Sequence, residues 1–195
     1  MSFISAIKSF LQSDKKEKNL ENKEKENFSV DRAIWLWDGV CEEYCKKNHK
    51  KLKNLSDGEI DLIWEYSANN IAIFLTWLID NDFLSDIHKD LEKDIQMVKE
   101  RKMTGYEYLL NNCELSLTRE DILENIIDFV DEYYNYDDNF SYIDDYCSYV
   151  EDILKKEVFE TKFSWDDYYK IKENVIDVAY KNFLDKKDIN NGENI

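Results

Sequence analysis

Apolar residues along most of this chain recur every three or four positions, the spacing of one face of an α-helix. Residues 71–79 form the longest apolar run and are apolar on most sides, which predicts a central, buried helix carrying Phe74 and Trp77. No alternating pattern of convincing length predicts a β-strand. The chain has no proline and only four glycines, residues that punctuate strand-rich folds. We therefore predict an all-α fold: a single bundle-like domain of seven or eight helices.

Serine or threonine followed three residues later by an acid is the pattern of a helix N-terminus. Four such pairs predict four helix starts: Ser56 with Glu59, Thr104 with Glu107, Thr118 with Asp121, and Ser164 with Asp167. A further helix is expected over residues 29–51. Asn69 and Asn70 are candidates for interrupting the central helix.

The two ends of the chain differ from its middle. Residues 1–27 combine a short amphipathic helix with a charged linker, and we predict that they form an N-terminal helical appendage. The apolar face of this helix is expected to dock on the rest of the protein. The alternatives are that it binds a partner or contacts a membrane. Residues 28–187 are predicted to be the acidic helical domain, and residues 188–195 a polar C-terminal tail.

The formal charge of −17 is unevenly distributed. Residues 1–60 are nearly neutral, whereas residues 114–152 hold 13 acids and one base, Arg119. Such a surface repels nucleic acid phosphates and anionic lipids, so direct nucleic acid binding is not expected. A basic protein partner would be attracted to it, and simple solubility is the alternative explanation.

The localisation that we expect is cytoplasmic. The N-terminus has its lysines after the apolar residues, unlike a secretory signal, and no stretch approaches the roughly 20 apolar residues of a membrane span. The four cysteines, Cys41, Cys45, Cys113 and Cys147, are then expected to be reduced and to act as small hydrophobic residues.

Patterns typical of catalysis or metal binding are weak, and we predict no catalytic residues, no cofactor and no metal. Adjacent aspartates such as Asp137–Asp138 cannot by themselves span a sugar cleft. Cys41, Cys45 and His49 follow one another at four-residue steps, but zinc would need a fourth ligand, which only folding could bring from His88 or Cys113. Four glycines leave no phosphate-binding loop of the common kinds.

Residues 131–149 mix six tyrosines with six acids around turn-forming asparagines. Tyrosine offers contact area at low entropic cost, and aspartate offers charge complementarity. We therefore predict that part of this segment contacts a partner, while other tyrosines belong to the core. The predicted partner-binding residues are Asp131, Glu132, Tyr134, Tyr136, Asp137, Asp138, Tyr142, Asp144 and Asp145.

Several blocks resemble an uncharacterised family of bacterial helical domains, found in part among the immunity genes of polymorphic toxin systems. Residues 68–85 contain an Ala and a spaced Phe-Leu-x-Trp, and residues 101–122 contain a Thr-Gly-x-Glu helix start followed by a Leu-Thr helix start. Residues 129–136 resemble the family's acidic Tyr-Tyr ending, and residues 164–183 resemble its final helix. The resemblance spans roughly residues 32–185. It implies a non-enzymatic immunity protein, since the family has no established catalytic residues.

Two binding functions follow from these observations. The first is an immunity protein that neutralises a basic toxin domain through an acidic, tyrosine-rich surface. The second is a nucleic acid mimic, of the anti-restriction or anti-CRISPR type, which would present rows of carboxylates spaced like phosphates. An enzyme with an unrecognised site is a third alternative, and it would show a deep pocket with converging polar groups.

Overall fold

The structure, a computed structural model, describes residues 29–134 and 141–192, with side chains as far as Ile189. Those ranges contain eight α-helices and two short strands. The helices are α1 (Ile34–Lys47), α2 (Asp57–Asp80), α3 (Glu92–Lys99), α4 (Gly105–Asn112), α5 (Glu124–Tyr133), α6 (Tyr142–Ser148), α7 (Trp165–Ile171) and α8 (Asp177–Gly192). The strands β1 (Ser29–Arg32) and β2 (Ser116–Thr118) form one small antiparallel sheet. The predicted all-α class is confirmed, and the predicted appendage, residues 1–27, lies outside the described residues.

Side-chain caps begin the helices where the sequence predicts them. Ser56 and Thr104 form capping boxes at the starts of α2 and α4. The Ser164 hydroxyl accepts a hydrogen bond from the backbone N–H of Asp167, 3.2 Å away, at the start of α7. Thr118 and Asp121 also form a capping box, but it begins a single 3₁₀ turn, Arg119–Asp121, and α5 starts three residues later.

The expectation of one helix over residues 29–51 is wrong at its beginning. Residues 29–32 form β1, which pairs with β2, and α1 starts only at Ile34. Asp31 helps to hold this strand in place. Its carboxylate is fully buried and is hydrogen-bonded within the core. It accepts hydrogen bonds from the Asn70 amide at 2.8 Å and the Tyr134 hydroxyl at 3.0 Å, both from distant parts of the chain.

Helix α2 lies at the centre of the fold, and the side chains of residues 67–79 are all buried. Phe74 and Trp77 are fully buried, as predicted from the apolar run. Asn69 and Asn70 do not interrupt the helix. Their amide N–H groups donate to the Tyr146 hydroxyl and the Asp31 carboxylate instead, which gives these two buried acceptors a partner within the core.

The C-terminal helices pack on the same core. A π-helical segment, Lys172–Ile176, joins α7 to α8, so the two form one continuous helical run that ends at Gly192. This run extends beyond Lys187, the last residue before the predicted polar tail. Trp77 of α2 donates its indole N–H to Asp177 at 2.8 Å, and Tyr168 donates its hydroxyl to Asp80 at 2.6 Å. Within the described ranges, no helix has the length and apolarity needed to cross a membrane.

Candidate functional site: an acidic groove beside α8

Most tyrosines of residues 131–149 are core residues. Tyr134 and Tyr142, predicted to contact a partner, are 5% and 0% exposed, and Tyr133 and Tyr146 are also buried. The rings of Tyr134 and Tyr142 lie about Phe74, with centroids 5.0 and 4.9 Å from it. These two predicted interface residues are therefore corrected to core residues, because aromatic packing around α2 removes them from the surface.

The acids of the same segment have several different surroundings. Asp131 is exposed and pairs with Arg119. Asp144 is half-buried and accepts a hydrogen bond from the Ser141 hydroxyl at 3.0 Å. Glu132 and Asp145 lie nearer to α8 and line a groove beside it. The remaining three predicted residues, Tyr136, Asp137 and Asp138, lie outside the described residues.

An open groove of about 1140 Å³ lies beside α8. Its other sides are formed by α5, by α6 and by the segment that follows α6. Glu132 and Asp145 line it together with Asp152 and Asp185, so four carboxylates face one ammonium group, that of Lys186. Lys186 pairs with Glu132 at 3.2 Å and ties α8 to α5. The groove is therefore acidic even after this ion pair is formed.

Apolar side chains line the groove as well. Ile153 and Val178 are among them and are 62% and 49% exposed, so two accessible aliphatic side chains share this surface with the carboxylates. Phe183 and Ala179 add half-buried apolar surface. Apolar and acidic side chains therefore line the same groove.

Asp145 connects the groove to the core. Its carboxylate accepts a hydrogen bond of 2.9 Å from the buried hydroxyl of Tyr133. Burial, reinforced by the Asp145 charge, raises the pKa of Tyr133, so this hydroxyl remains a donor. The hydrogen bond therefore fixes the orientation of one groove carboxylate. Tyr133 lines the groove, and the sequence prediction did not name it. Nothing in the sequence around Tyr133 distinguishes it from the neighbouring tyrosines of the same segment.

A second polar cluster lies apart from the groove, where residues far apart in sequence meet. One ligand atom each from His88, Cys113 and Asp121 lies within 4.8 Å of the other two. The His88 Nε2 and Asp121 Oδ1 atoms are 3.0 Å apart, and His88 Nδ1 is 2.9 Å from the Tyr108 hydroxyl. Among the described residues, this is the one group of three or more such side chains able to hold a metal ion.

The electrostatics of this cluster do not favour nucleophilic catalysis. Burial, with a contribution from the Asp121 charge, raises the pKa of Cys113 to about 12. Burial alone would also raise the pKa of Asp121, but hydrogen bonds from His88 and Thr118 outweigh it and lower the pKa. Asp121 is therefore ionised, whereas Cys113 is a neutral thiol unless a positive charge binds beside it.

The cysteine-histidine set suggested by sequence spacing does not come together. Helix α1 ends at Lys47, so the four-residue steps from Cys41 to Cys45 do not continue to His49, which is exposed. All four cysteines are free, with Cys41 and Cys147 buried and Cys45 and Cys113 half-buried. Burial is the main cause that raises the pKa of Cys41 to about 11. This thiol is typical of a core residue.

The fold and the groove define an all-α domain with an acidic, partly apolar groove. The chain belongs to the family described as "Domain of unknown function (DUF7832)", whose match covers residues 29–161. No curated protein and no solved structure matches the chain. The family match ends before α7, so α8, which forms one wall of the groove, lies outside it.

Proposed function

We propose that this protein is an immunity protein, which binds a toxin through the acidic groove and neutralises it without catalysis. The observation that carries the proposal is the groove itself, which four carboxylates and exposed aliphatic side chains line together. The tyrosine-rich surface first expected is replaced by this groove, since Tyr134 and Tyr142 are core residues. Glu132 and Asp145 remain in the proposed interface.

The occupant that fits this groove is a basic amphipathic segment of the toxin domain. Its apolar side chains would cover Ile153 and Val178, while its lysines and arginines would face Asp152 and Asp185. Toxins that act on nucleic acids or nucleotides have positive clefts, and an acidic inhibitor competes there directly. Complementary charge also speeds association, because it steers the two proteins together.

The shape of the acidic surface favours an inhibitor over a nucleic acid mimic. A mimic of duplex DNA needs carboxylates along a projecting surface at the spacing of phosphates. In the part of the chain that the structure describes, the carboxylates named above line a groove together with apolar side chains, among them Ile153 and Val178. Such side chains are suited to contact with another protein and not to imitation of a polar nucleic acid backbone.

The test begins with a search for a toxic domain encoded beside this gene, and growth protection and binding are then measured with that domain. Glu132, Asp152 and Asp185 are exposed groove acids, and a triple variant with lysine at these positions reverses their charge. We expect it to lose protection and to associate more slowly in surface plasmon resonance. Association of the unaltered protein should slow as salt rises, since charges are screened within about 10 Å at 0.1 M salt.

The matched control carries the same change of charge away from the groove. Glu42, Asp61 and Asp90 are exposed acids on other elements, and replacing all three with lysine should leave binding nearly unchanged. Circular dichroism would show whether each triple variant retains its helices. Equal protection by the groove variant and the unaltered protein would place the interface elsewhere. The absence of any toxic domain beside the gene would count against the immunity function.

A further inference from the structure

We propose that His88, Cys113 and Asp121 form a binding site for a divalent transition metal ion, with zinc as the best fit. The three side chains meet from separate elements: a 3₁₀ segment, Asp86–Leu91, the end of α4, and the turn after β2. Their ligand atoms lie within 4.8 Å of one another. Small side-chain movements would therefore bring all three atoms to bonding distance of a metal ion placed between them. Zinc binds imidazole nitrogen and carboxylate oxygen at about 2.0–2.2 Å and thiolate sulfur at about 2.3 Å.

The donor set suits zinc rather than calcium or magnesium. One nitrogen, one sulfur and one oxygen make a site of intermediate softness, whereas calcium and magnesium require oxygen ligands throughout. On binding, the Cys113 thiol releases its proton to solvent and coordinates as a thiolate. The thiolate and the Asp121 carboxylate then balance the two positive charges of the ion, so that no net charge is buried.

The surrounding hydrogen bonds already orient two of the ligands. His88 Nδ1 lies 2.9 Å from the Tyr108 hydroxyl, which leaves Nε2 directed at Asp121. The second oxygen of Asp121 accepts bonds of 2.7 Å from both the backbone N–H and the hydroxyl of Thr118. In zinc sites, partners of this kind hold the imidazole and the carboxylate in place. In the metal-bound form, His88 would carry its proton on Nδ1 and donate it to the Tyr108 oxygen.

Access and coordination number are consistent with a bound ion. His88 and Asp121 are 3% and 7% exposed, while Cys113 is half-buried and provides the route from solvent. Three protein ligands leave the fourth tetrahedral position for water. None of the three residues lines the acidic groove, so this proposal is independent of the immunity function.

The experiment uses the full chain, reduced and stripped of metal. Isothermal titration with zinc chloride should show one ion per chain, and elemental analysis after dialysis should agree. Cobalt chloride should give a ligand-to-metal charge-transfer band in the near ultraviolet, which reports a thiolate ligand directly. This spectrum needs no variant and therefore does not depend on whether a substitution is tolerated.

Variants then assign the band to this cluster. Cys113→Ala should abolish it and weaken zinc binding by more than about 100-fold, since even outer-shell changes cost roughly 10–100-fold. Tyr108→Phe, which keeps the ring and removes the oriented hydroxyl, should weaken binding by about 10–100-fold. Cys45→Ala is the matched control, because Cys45 is also a half-buried free cysteine and belongs to the alternative set on α1.

Three results would overturn the proposal. The first is no one-to-one zinc binding with metal in excess. The second is a cobalt complex without the thiolate band. The third is loss of the band in Cys45→Ala while Cys113→Ala retains it, which would assign the metal to the α1 cysteines instead.

Discussion

Replacing Trp77 with alanine tests whether α2 joins the C-terminal helices to the rest of the core. Trp77 is fully buried, and its ring lies 5.4 to 5.7 Å from those of Phe74, Phe83, Phe129 and Tyr180. Its indole N–H also donates to Asp177 of α8. The substitution therefore removes packing and a hydrogen bond at the contact that positions one wall of the groove.

The expected loss of stability follows from these contacts. Truncating a buried large aromatic to alanine typically costs about 3–5 kcal/mol. Asp177 keeps an ion pair with Lys172, so no charge is left without a partner, and the hydrogen bond adds little beyond that range. We expect about 4 kcal/mol for Trp77→Ala. Trp77→Phe retains most of the packing and loses the hydrogen bond, so we expect about 1–3 kcal/mol.

Urea unfolding followed by circular dichroism would measure both variants, with the slope of the transition checked for two-state behaviour. Trp35→Ala is the control, since Trp35 is half-buried and belongs to neither apolar cluster. We expect this control to lose about 1 kcal/mol or less. A loss below about 1 kcal/mol for Trp77→Ala would contradict the packing argument, because replacing a well-packed core tryptophan with alanine lowers the free energy of unfolding by more than that.

Three further predictions concern the polar contacts. Arg101→Lys should cost about 1–3 kcal/mol in urea unfolding, because it removes a two-pronged contact with Asp80 at 2.7 and 2.8 Å and stacking over Trp165; no change would show that this surface contact is dispensable. Thr104→Ala should cost about 1 kcal/mol by removing the cap of α4, and Thr104→Ser should restore most of it. The hydrogen bond from Lys50 and those from Ser56 lower the pKa of Glu59 from 4.5 to about 2. Its stabilising contribution is therefore fully present above pH 4.5 and is lost as the pH falls towards 2, so Glu59→Gln should flatten the pH dependence of unfolding in that window.

Helix positions and the central helix were predictable from the sequence, because both depend on neighbours within one helical turn. The capping pairs at Ser56, Thr104 and Ser164 join groups three residues apart, and the apolar run of α2 spans nine consecutive positions, residues 71–79. The chain segment itself contains all of the interacting atoms. Residues 29–32 did not follow this rule, since their strand exists only through pairing with residues 116–118.

The candidate sites depended on contacts between distant residues, which spacing cannot reveal. The excess of acid over residues 114–152 was visible in the sequence, and two of the acids predicted there to bind a partner, Glu132 and Asp145, line the groove. The division of the tyrosines between core and surface was not visible, because Tyr133, Tyr134 and Tyr142 all occur in the same polar segment. Packing around α2 buries all three.

The His88, Cys113 and Asp121 cluster shows the same limit most clearly. Its members are separated by 25 and 8 residues in sequence, a spacing that matches no metal-binding motif, yet their ligand atoms lie within 4.8 Å. The sequence determined which segments become helices, since helix formation depends on local hydrogen bonds and caps. Only the tertiary structure decided which of their side chains meet, because burial of apolar surface, and not any local signal, brings distant segments together.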